Sequence, residues 1–194
     1  MGIMGETGCG KSTLLGLIAR LNGFERGEIK LNGIDIGDIC IDSLRERVAY
    51  CAQKVQLIHG TIRDNIALFD PRFADEAIWE AIKLLDLTEW FQTFPDGLDT
   101  RLEMAEANLS SGEAQLLSLV RLTLRRPGLV LLDEITANLD AATERRIIRA
   151  IEAMCKDSSV LSIAHNTEAL AWMDNISIMQ NGTLPPESGI GGGI

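Results

Sequence analysis

The segment that decides the fold is Gly5-Glu6-Thr7-Gly8-Cys9-Gly10-Lys11-Ser12, a complete G-x-x-x-x-G-K-[ST] motif. Its glycines allow main-chain N–H groups to curl around phosphate oxygens without a Cβ in the way. Lys11 supplies positive charge for the β- and γ-phosphates, and the Ser12 hydroxyl can ligate magnesium. The apolar residues from Leu14 onward predict a buried helix whose N-terminus adds partial positive charge. We therefore predict a nucleotide phosphate site at Gly5, Glu6, Thr7, Gly8, Cys9, Gly10, Lys11, Ser12 and Thr13.

Short apolar segments alternate with amphipathic segments along the rest of the chain, which is typical of an α/β fold with a largely parallel sheet. Two turn-forming residues, Asn32-Gly33, predict a β-hairpin between the flanking apolar segments. The apolar spacing at 75–87 predicts a helix. Strands are predicted at 47–52, 129–132 and 160–164.

Polar residues follow two of the predicted strands. Asp133 and Glu134 follow the strand at 129–132, and His165 follows the strand at 160–164. Ligands of open parallel sheets bind beyond the carboxyl ends of the strands, so these side chains are expected at the binding edge. Together with the phosphate-binding motif, Asp133 is predicted to hold magnesium and Glu134 to orient or deprotonate an attacking water.

Composition restricts the class of protein. The 194 residues include 18 Lys plus Arg and 28 Asp plus Glu, which gives a formal net charge of −10. An acidic chain is unsuited to an extended grip on DNA or RNA, so no nucleic-acid partner is expected. Four widely spaced cysteines without a C-x-x-C pair indicate neither a zinc site nor a disulfide framework, and they favour a reducing compartment.

Several ordered motifs make the chain similar to the nucleotide-binding domain of ATP-binding-cassette (ABC) transporters, most closely the exporter type. Besides the Walker A motif at 5–12 and the Walker B residues Asp133-Glu134, they are Gln53 at the Q-loop, 60–66 in the exporter segment that follows, 109–113 at the LSGGQ signature, 137–140 at the D-loop and His165 at the switch histidine. The resemblance implies a P-loop NTPase with a mostly parallel sheet flanked by helices and an inserted helical subdomain that carries the signature. The implied divisions are a P-loop ATPase core at 1–54 and 126–184, a helical signature subdomain at 55–125 and a flexible tail at 185–194.

The same resemblance implies substrates, partners and residue roles. ATP and Mg²⁺ would bind, and Lys11, Gln53, Glu134 and His165 would be catalytic, with Ser12, Gln53 and Asp133 at the metal. Cassettes of this family pair head to tail, so a second nucleotide-binding domain is expected as partner, in a heterodimer or a homodimer. Ser110, Ser111, Gly112, Glu113 and Asp140 would then act on ATP across that dimer. A transmembrane domain is the other expected partner, and it would hold this cytoplasmic chain at the inner face of the membrane.

Some positions depart from the family pattern. Ser111 replaces the first glycine of the signature pair, and Glu113 replaces its glutamine. A carboxylate three residues after Ser110 predicts a capping box, and it also places negative charge where the partner's γ-phosphate should lie. Residues 103–106 replace the exporter X-loop, and Asn166 replaces the common arginine after the switch histidine. An intact catalytic half with a weakened signature predicts one member of an asymmetric heterodimer. The glutamate at the end of the signature also makes the chain similar to the cassettes of the bacterial cysteine/glutathione exporters.

The start of the chain gives a further expectation. Four residues precede Gly5, so the upstream strands of the family and its adenine-stacking aromatic residue would lie before residue 1. This predicts an N-terminally truncated cassette that binds nucleotides weakly and with little base selectivity, because stacking on an aromatic side chain typically contributes ~1–3 kcal/mol per base.

Two other functions stay open at this stage. One is a truncated, non-hydrolysing ATP-binding or regulatory module, which turnover would distinguish from an ATPase. The other is a DNA-repair or chromosome-type ABC ATPase, but those proteins separate the P-loop from the signature by a long coiled coil, and no heptad run occurs here. A small GTPase is disfavoured because the chain has no N-K-x-D motif.

Overall fold

The computed structural model describes residues 1–102, 109–137, 139–165 and 167–185. The strands are β1 Gly2–Met4, β2 Lys30–Leu31, β3 Ile34–Asp35, β4 Val48–Cys51, β5 Gly60–Thr61, β6 Arg101–Leu102, β7 Leu129–Asp133, β8 Ser159–Ala164 and β9 Ile176–Ile178. The α-helices are α1 Lys11–Ile18, α2 Ile41–Arg47, α3 Ile62–Ala67, α4 Asp75–Leu84, α5 Thr88–Phe91, α6 Ser111–Leu124 and α7 Ala141–Met154. Short 3-10 helices occur at Gly97–Asp99 and Glu168–Leu170.

The main sheet has the strand order β4-β7-β8-β1-β9, and every neighbouring pair is parallel. Its central strands are apolar and buried, as in β7, where Val130, Leu131 and Leu132 are fully inaccessible to solvent. Continuous apolar runs of this kind suit strands that are covered on both faces. The predicted α/β fold with a parallel sheet is confirmed.

The predicted hairpin is present between β2 and β3, which pair antiparallel. Asn32 and Gly33 both have positive φ, at 51° and 79°, as a type I′ turn requires. The helix predicted at 75–87 forms as α4 but ends at Leu84. It stops there because the backbone turns left-handed at Asp86, with φ of 56°.

The described residues form two compact units. The first unit contains Met1–Ala52, Pro127–Glu134 and the segment from Ser159 onward, and it includes the parallel sheet with α1 and α2. Its core is an apolar cluster made of Ile3, Leu15, Ile18, Leu44, Val48, Leu131, Leu161, Ile163 and Met179. Because β1, α1 and β7 all contribute to this cluster, the loop between β1 and α1 is held at both of its ends.

The second unit contains Gln53–Arg126 and Ile135–Ser158. It is built mainly from helices, with α6 packed against α3, α4 and α7. An aromatic group of edge-to-face rings, formed by Trp79, Trp90, Phe91 and Phe94, lies in the same unit. The sequence-based boundaries place 135–158 with the P-loop core. In the structure α7 groups with the helical unit instead, because its apolar face packs on α6 and α4.

Some predicted features lie outside the described residues: the segment at the X-loop position (103–106), Asn138 of the D-loop, Asn166, and the tail from 186 onward. Within the described ranges, no helix combines the length and the apolar character needed to cross a bilayer.

Candidate functional site

The phosphate-binding motif forms a loop between β1 and α1. Gly8 and Gly10 have φ of 82° and 105°, a left-handed backbone that residues with a Cβ rarely adopt. Gly10 is the N-cap of α1 and gives the helix no side-chain cap. The first N–H groups of an α-helix have no intrahelical partner, so this helix presents donors and the positive end of its dipole to an anion.

Lys11 is the first residue of α1 and is only 4% exposed. Its Nζ donates to the carbonyl oxygens of Gly5 at 2.8 Å and Glu6 at 3.0 Å. Carbonyls satisfy the ammonium donors without neutralising the charge. A buried cation held in this way is suited to exchange its carbonyl partners for phosphate oxygens, which supply the missing negative charge.

A turn after β9 supports the outer side of the loop. The Gly182 N–H donates to the Cys9 carbonyl at 2.9 Å, and the Met179 N–H donates to the Met4 carbonyl at 2.7 Å. A Cβ at Gly5 would lie 2.5 Å from the Met179 carbonyl oxygen, so only glycine fits there. The cleft beside the loop is lined by Met4, Gly5, Glu6, Thr7, Gly8, Cys9, His165, Ile178, Met179, Gln180, Asn181 and Gly182. Sequence reasoning missed this turn, because no local pattern indicates that 179–182 contacts the loop.

The carboxylate of Asp133 ends β7 and lies next to the start of α1. The Ser12 hydroxyl donates to Asp133 Oδ1 at 3.0 Å, which leaves the Ser12 lone pairs available to a cation. A hydroxyl and a carboxylate are hard oxygen ligands of the kind that Mg²⁺ prefers. Within the described ranges no group of three or more His, Cys, Asp or Glu could hold a metal. The Ser12 hydroxyl and the Asp133 carboxylate fit a magnesium ion of the kind that keeps water and substrate phosphates as its other ligands.

A second donor reaches the same carboxylate. The Tyr50 hydroxyl on β4 donates to Asp133 Oδ2 at 2.7 Å. Burial raises the pKa of Tyr50, and the hydrogen bond and the negative charge of Asp133 raise it further, so the phenol keeps its proton. The sequence does not reveal this contact, because β4 and β7 become neighbours only through the sheet order.

Glu134 and His165 come together at the end of β7 and β8. The Nε2 atom of His165 lies 2.7 Å from Oε1 of Glu134, and the Glu134 side chain is 11% exposed whereas that of His165 is 45% exposed. Glu134 has φ of 51°, a left-handed conformation that costs a residue other than glycine roughly 1–2 kcal/mol. Its N–H donates to the Ile163 carbonyl at 3.1 Å, which extends the pairing between the two strands by one residue.

Gln53 follows β4 by two residues and belongs to the second unit. Its side chain is exposed, and its main-chain carbonyl accepts a hydrogen bond from Gln115 Nε2 at 2.7 Å. Gln115 is a buried residue of α6, so this bond ties the segment after β4 to the signature helix.

The signature residues open α6 with the predicted capping box, which is confirmed. Ser110 is the N-cap, and its hydroxyl oxygen accepts a hydrogen bond from the Glu113 N–H at 3.3 Å. In return Glu113 Oε2 accepts from the Ser110 N–H at 2.8 Å and from the Ser110 hydroxyl at 2.9 Å. The capping box thus engages the main-chain N–H groups of Ser110 and Glu113, and it holds the Glu113 carboxylate at the start of the helix.

Glu113 has a third donor, because Trp90 Nε1 lies 3.2 Å from Glu113 Oε1. Partial burial raises the pKa of Glu113, but the hydrogen bonds from Ser110 and Trp90, aided by the charge of Arg146, outweigh it and lower the pKa below its usual value. The carboxylate is therefore ionised at neutral pH.

The other signature and D-loop positions have structural contacts of their own. Ser111 is exposed in the first turn of α6. A Cβ at Gly112 would lie 2.2 Å from Thr143 Cγ2, so glycine permits α6 and α7 to approach closely. Asp140 caps α7 and accepts from the N–H groups of Ala142 at 3.0 Å and Thr143 at 3.1 Å. The hydrogen bonds from Thr143, with that from Ala142, lower the pKa of Asp140.

A family model described as ABC transporter matches residues 1–137, which is more than half of the chain. The chain belongs to the ABC transporter family. The motifs described above are those of an exporter-type ABC ATPase domain, and the similar proteins carry matching descriptions.

Three relatives illustrate the similarity. The chain is 37% identical over 178 residues to "Uncharacterized ABC transporter ATP-binding protein YwjA" of Bacillus subtilis (strain 168), an alignment covering 92% of this chain and 31% of the relative. It is 37% identical over 182 residues to "Putative multidrug export ATP-binding/permease protein YgaD" of the same organism, covering 94% and 31%. It is 36% identical over 183 residues to "ATP-dependent lipid A-core flippase" of Haemophilus influenzae (strain 86-028NP), covering 94% and 31%. The chain thus spans 31% of the length of each of these relatives.

The residues predicted to be functional belong to both units. The first unit brings together the P-loop, Asp133, Glu134 and His165. Gln53, the signature residues and Asp140 belong to the second unit. The roles assigned to these residues from the resemblance stay predictions.

Proposed function

We propose that this chain is the nucleotide-binding unit of an ABC exporter, and that it binds MgATP at residues 5–13 and hydrolyses it. The observation that carries the proposal is the buried Lys11, whose charge no carboxylate partner neutralises in the described contacts, at the open N-terminus of α1. A polyphosphate is the ligand that supplies several negative charges to such a loop.

Each part of the substrate has residues suited to it. The N–H groups at the start of α1 and the Lys11 ammonium would bind the β- and γ-phosphates. Ser12 and Asp133 would hold the magnesium ion, with Gln53 as a further ligand by family resemblance. Bound by these residues, magnesium would supply positive charge against the negative charge that develops on the leaving group.

Hydrolysis requires a base for the attacking water. Glu134 would accept a proton from this water while the water oxygen forms a bond to the γ-phosphorus. The bond between the γ-phosphorus and the bridging oxygen breaks, and ADP leaves with its electron pair. His165 lies against the same carboxylate and is placed to donate a hydrogen bond, to Glu134 or to a γ-phosphate oxygen. A positioned general base typically contributes 10²- to 10⁴-fold to the rate.

Magnesium-dependent phosphate release by the purified chain tests this proposal, alone and after mixing with an intact cassette. Glu134→Gln should lower turnover by about 10²- to 10⁴-fold and leave ATP affinity within a few-fold. Glu152→Gln, which alters an exposed glutamate on α7, is the matched control and should leave turnover unchanged. ATP binding without turnover under both conditions would contradict hydrolysis and favour a non-hydrolysing module.

The proposed assembly is an asymmetric pair of cassettes. Glu113 occupies the N-terminus of α6 with an ionised carboxylate, and like charge opposes the approach of a γ-phosphate from a partner. Hydrolysis would then take place where this P-loop meets the intact signature of a different cassette. Head-to-tail binding makes ATP part of the interface, and its hydrolysis would release the pair.

Glu113→Gln tests the asymmetry in the Glu134→Gln background, which should retain ATP. The chain that keeps Glu113 should remain monomeric in sedimentation analysis, and the chain that also carries Glu113→Gln should gain an ATP-dependent dimer. Glu89→Gln, which alters an exposed glutamate next to Trp90, is the matched control. Equal ATP-dependent self-association with and without Glu113→Gln would contradict the proposed role of Glu113.

The proposed membrane partner rests on the relatives, two of which are named as ATP-binding/permease or flippase proteins. A transmembrane domain of the same transporter would hold this chain at the cytoplasmic face of the membrane. Chemical cross-linking in membranes of the source cell tests this, with an adduct to a polytopic membrane protein as the expected product. A chain recovered in the soluble fraction without such an adduct would contradict it.

A further inference from the structure

Tyr50 contacts the metal-binding half of the site without being part of any motif. On the neighbouring strand, Tyr50 is in register with Leu131, so Asp133 lies two residues further along β7 on the same face. A long side chain can reach this diagonal neighbour. The Tyr50 hydroxyl uses that reach and donates to Asp133 Oδ2 at 2.7 Å.

The two oxygens of the Asp133 carboxylate therefore have different donors. Oδ1 accepts from Ser12 at 3.0 Å, and Oδ2 accepts from Tyr50. The terminal torsion of an aspartate is soft and can place either oxygen forward. Two donors on opposite oxygens fix the carboxylate plane, and Asp133 is only 7% exposed, so little solvent competes with them.

We propose that Tyr50 is a positioning residue for the magnesium ion of the substrate, which it serves by holding Asp133 with Oδ1 turned toward Ser12. This rests on the proposed function, since it concerns MgATP at the P-loop. Hydrogen bonds from the outer shell orient metal-binding carboxylates in this way, and their loss typically lowers metal affinity 10- to 100-fold. A merely structural tyrosine would affect stability but leave the metal dependence unchanged.

Tyr50→Phe is the decisive variant, because it keeps the ring and removes only the donor. The probe is Mn²⁺, whose electron paramagnetic resonance signal reports the free ion directly. With the protein in excess over ATP, so that little free nucleotide competes for the ion, we expect Tyr50→Phe to weaken Mn²⁺ binding to the protein by about 10-fold. Affinity for ATP in EDTA should stay within about two-fold, because Tyr50 acts on the metal ligand and not on the phosphate loop.

Thr123→Val is the matched control, since it also removes one buried hydroxyl, which donates to the Leu119 carbonyl in α6. It should leave Mn²⁺ affinity unchanged. Equal Mn²⁺ affinity of Tyr50→Phe and wild type would overturn the proposal. A parallel loss of metal-free ATP binding would also overturn it, because the residue would then support the fold rather than the metal.

A second measurement uses the wild-type chain alone, without nucleotide and without any substitution. Tyr50 is the single tyrosine of the chain, so tyrosine labelled with ¹³C at Cζ gives one resonance. In an equal mixture of H₂O and D₂O a phenol held by Asp133 should exchange slowly and give two resolved lines. One averaged line would overturn the positioning contact. Failure of the wild-type chain to bind ATP would instead refute the proposed function, so the two failures are distinguishable.

Discussion

The N-termini of α1 and α6 offer the same main-chain N–H donors, but different side chains lie beside them. Gly10 precedes α1 with a left-handed φ of 105° and no side-chain cap, and the first residue of the helix is a buried lysine. Ser110 precedes α6 with extended backbone, and a capping box places the Glu113 carboxylate at the start of that helix. One helix N-terminus is open to an external anion, whereas the other already holds an internal one.

The difference between the two helices lies in the charge that the chain places at each N-terminus. Every helix offers N–H donors and a positive dipole end at its start. At α1 the sequence adds a cation and leaves the donors available. At α6 it adds a carboxylate, which stabilises the helix and disfavours a second anion.

The largest effect is expected at the N-terminus of α1, where Lys11→Ala should lower ATP affinity. A hydrogen bond to a charged group contributes about 1.5–3 kcal/mol, so ATP affinity should fall ~10- to 100-fold by isothermal titration calorimetry. Thermal stability should hold or rise, because a buried charge has been removed. Lys83→Ala, which alters an exposed lysine of α4, is the control and should bind ATP normally. Unchanged affinity in Lys11→Ala would show that α1 is not the phosphate site.

Gly112→Ala in α6 and Gly10→Ala before α1 should each lower the free energy of unfolding, but for different reasons. At Gly112 the new Cβ meets Thr143 Cγ2 at 2.2 Å, and such overpacking costs about 1–3 kcal/mol of unfolding free energy. At Gly10 the nearest atom, Met179 Cε, is 3.7 Å away, so the cost there comes from the left-handed backbone.

Rescue separates the two causes in urea unfolding. Thr143→Ser removes the clashing methyl group and should restore most of the stability lost in Gly112→Ala. Met179→Ala should not rescue Gly10→Ala, because no side chain causes that loss. Failure of the first rescue would indicate that the α6–α7 approach is not set by the Gly112–Thr143 contact.

A smaller effect on stability is expected from Ser110→Ala, which removes the N-cap of α6. Loss of an N-cap typically costs ~1 kcal/mol of stability. Asp140→Ala removes the cap of α7 and gives a matched reference for an ordinary cap in the same unit. If Ser110→Ala unfolds at the same urea concentration as wild type, the capping box does not stabilise α6 and the two helix starts are less different than the contacts indicate.

The smallest effect is the pH dependence of that same cap. The folded pKa of Glu113 lies below its ordinary value of 4.5. Its contribution to stability is therefore complete above pH 4.5 and is lost as pH falls through the lowered folded value. Glu113→Gln should flatten the stability–pH curve in this acidic range, measured by urea midpoints. Identical slopes in the two proteins would refute the ionised capping carboxylate.

Local patterns predicted much of the first unit. The P-loop, the hairpin at Asn32-Gly33 and the apolar strands β7 and β8 all follow from signals within a few residues. Such signals work because backbone conformation and burial on both faces restrict the residue types at each position.

The missed features all join distant parts of the chain. Tyr50 and Asp133 are separated by 83 residues, and the Glu113–Trp90 contact spans 23. The packing of α7 on α6 and α4 likewise joins segments that lie far apart in the sequence. Periodicity reports that a surface is buried, and it carries no information about which element covers it.

The sequence by itself determined the glycine-rich loop before α1, the acidic pair after β7 and the capping box at Ser110, because each depends on contacts within a few residues. Only the tertiary structure decided which residues meet across the sheet. It placed Tyr50 on Asp133, His165 on Glu134 and the Met179 carbonyl against Gly5. These contacts follow from the strand order, which is set by the packing of the whole apolar core and not by any short segment of the chain.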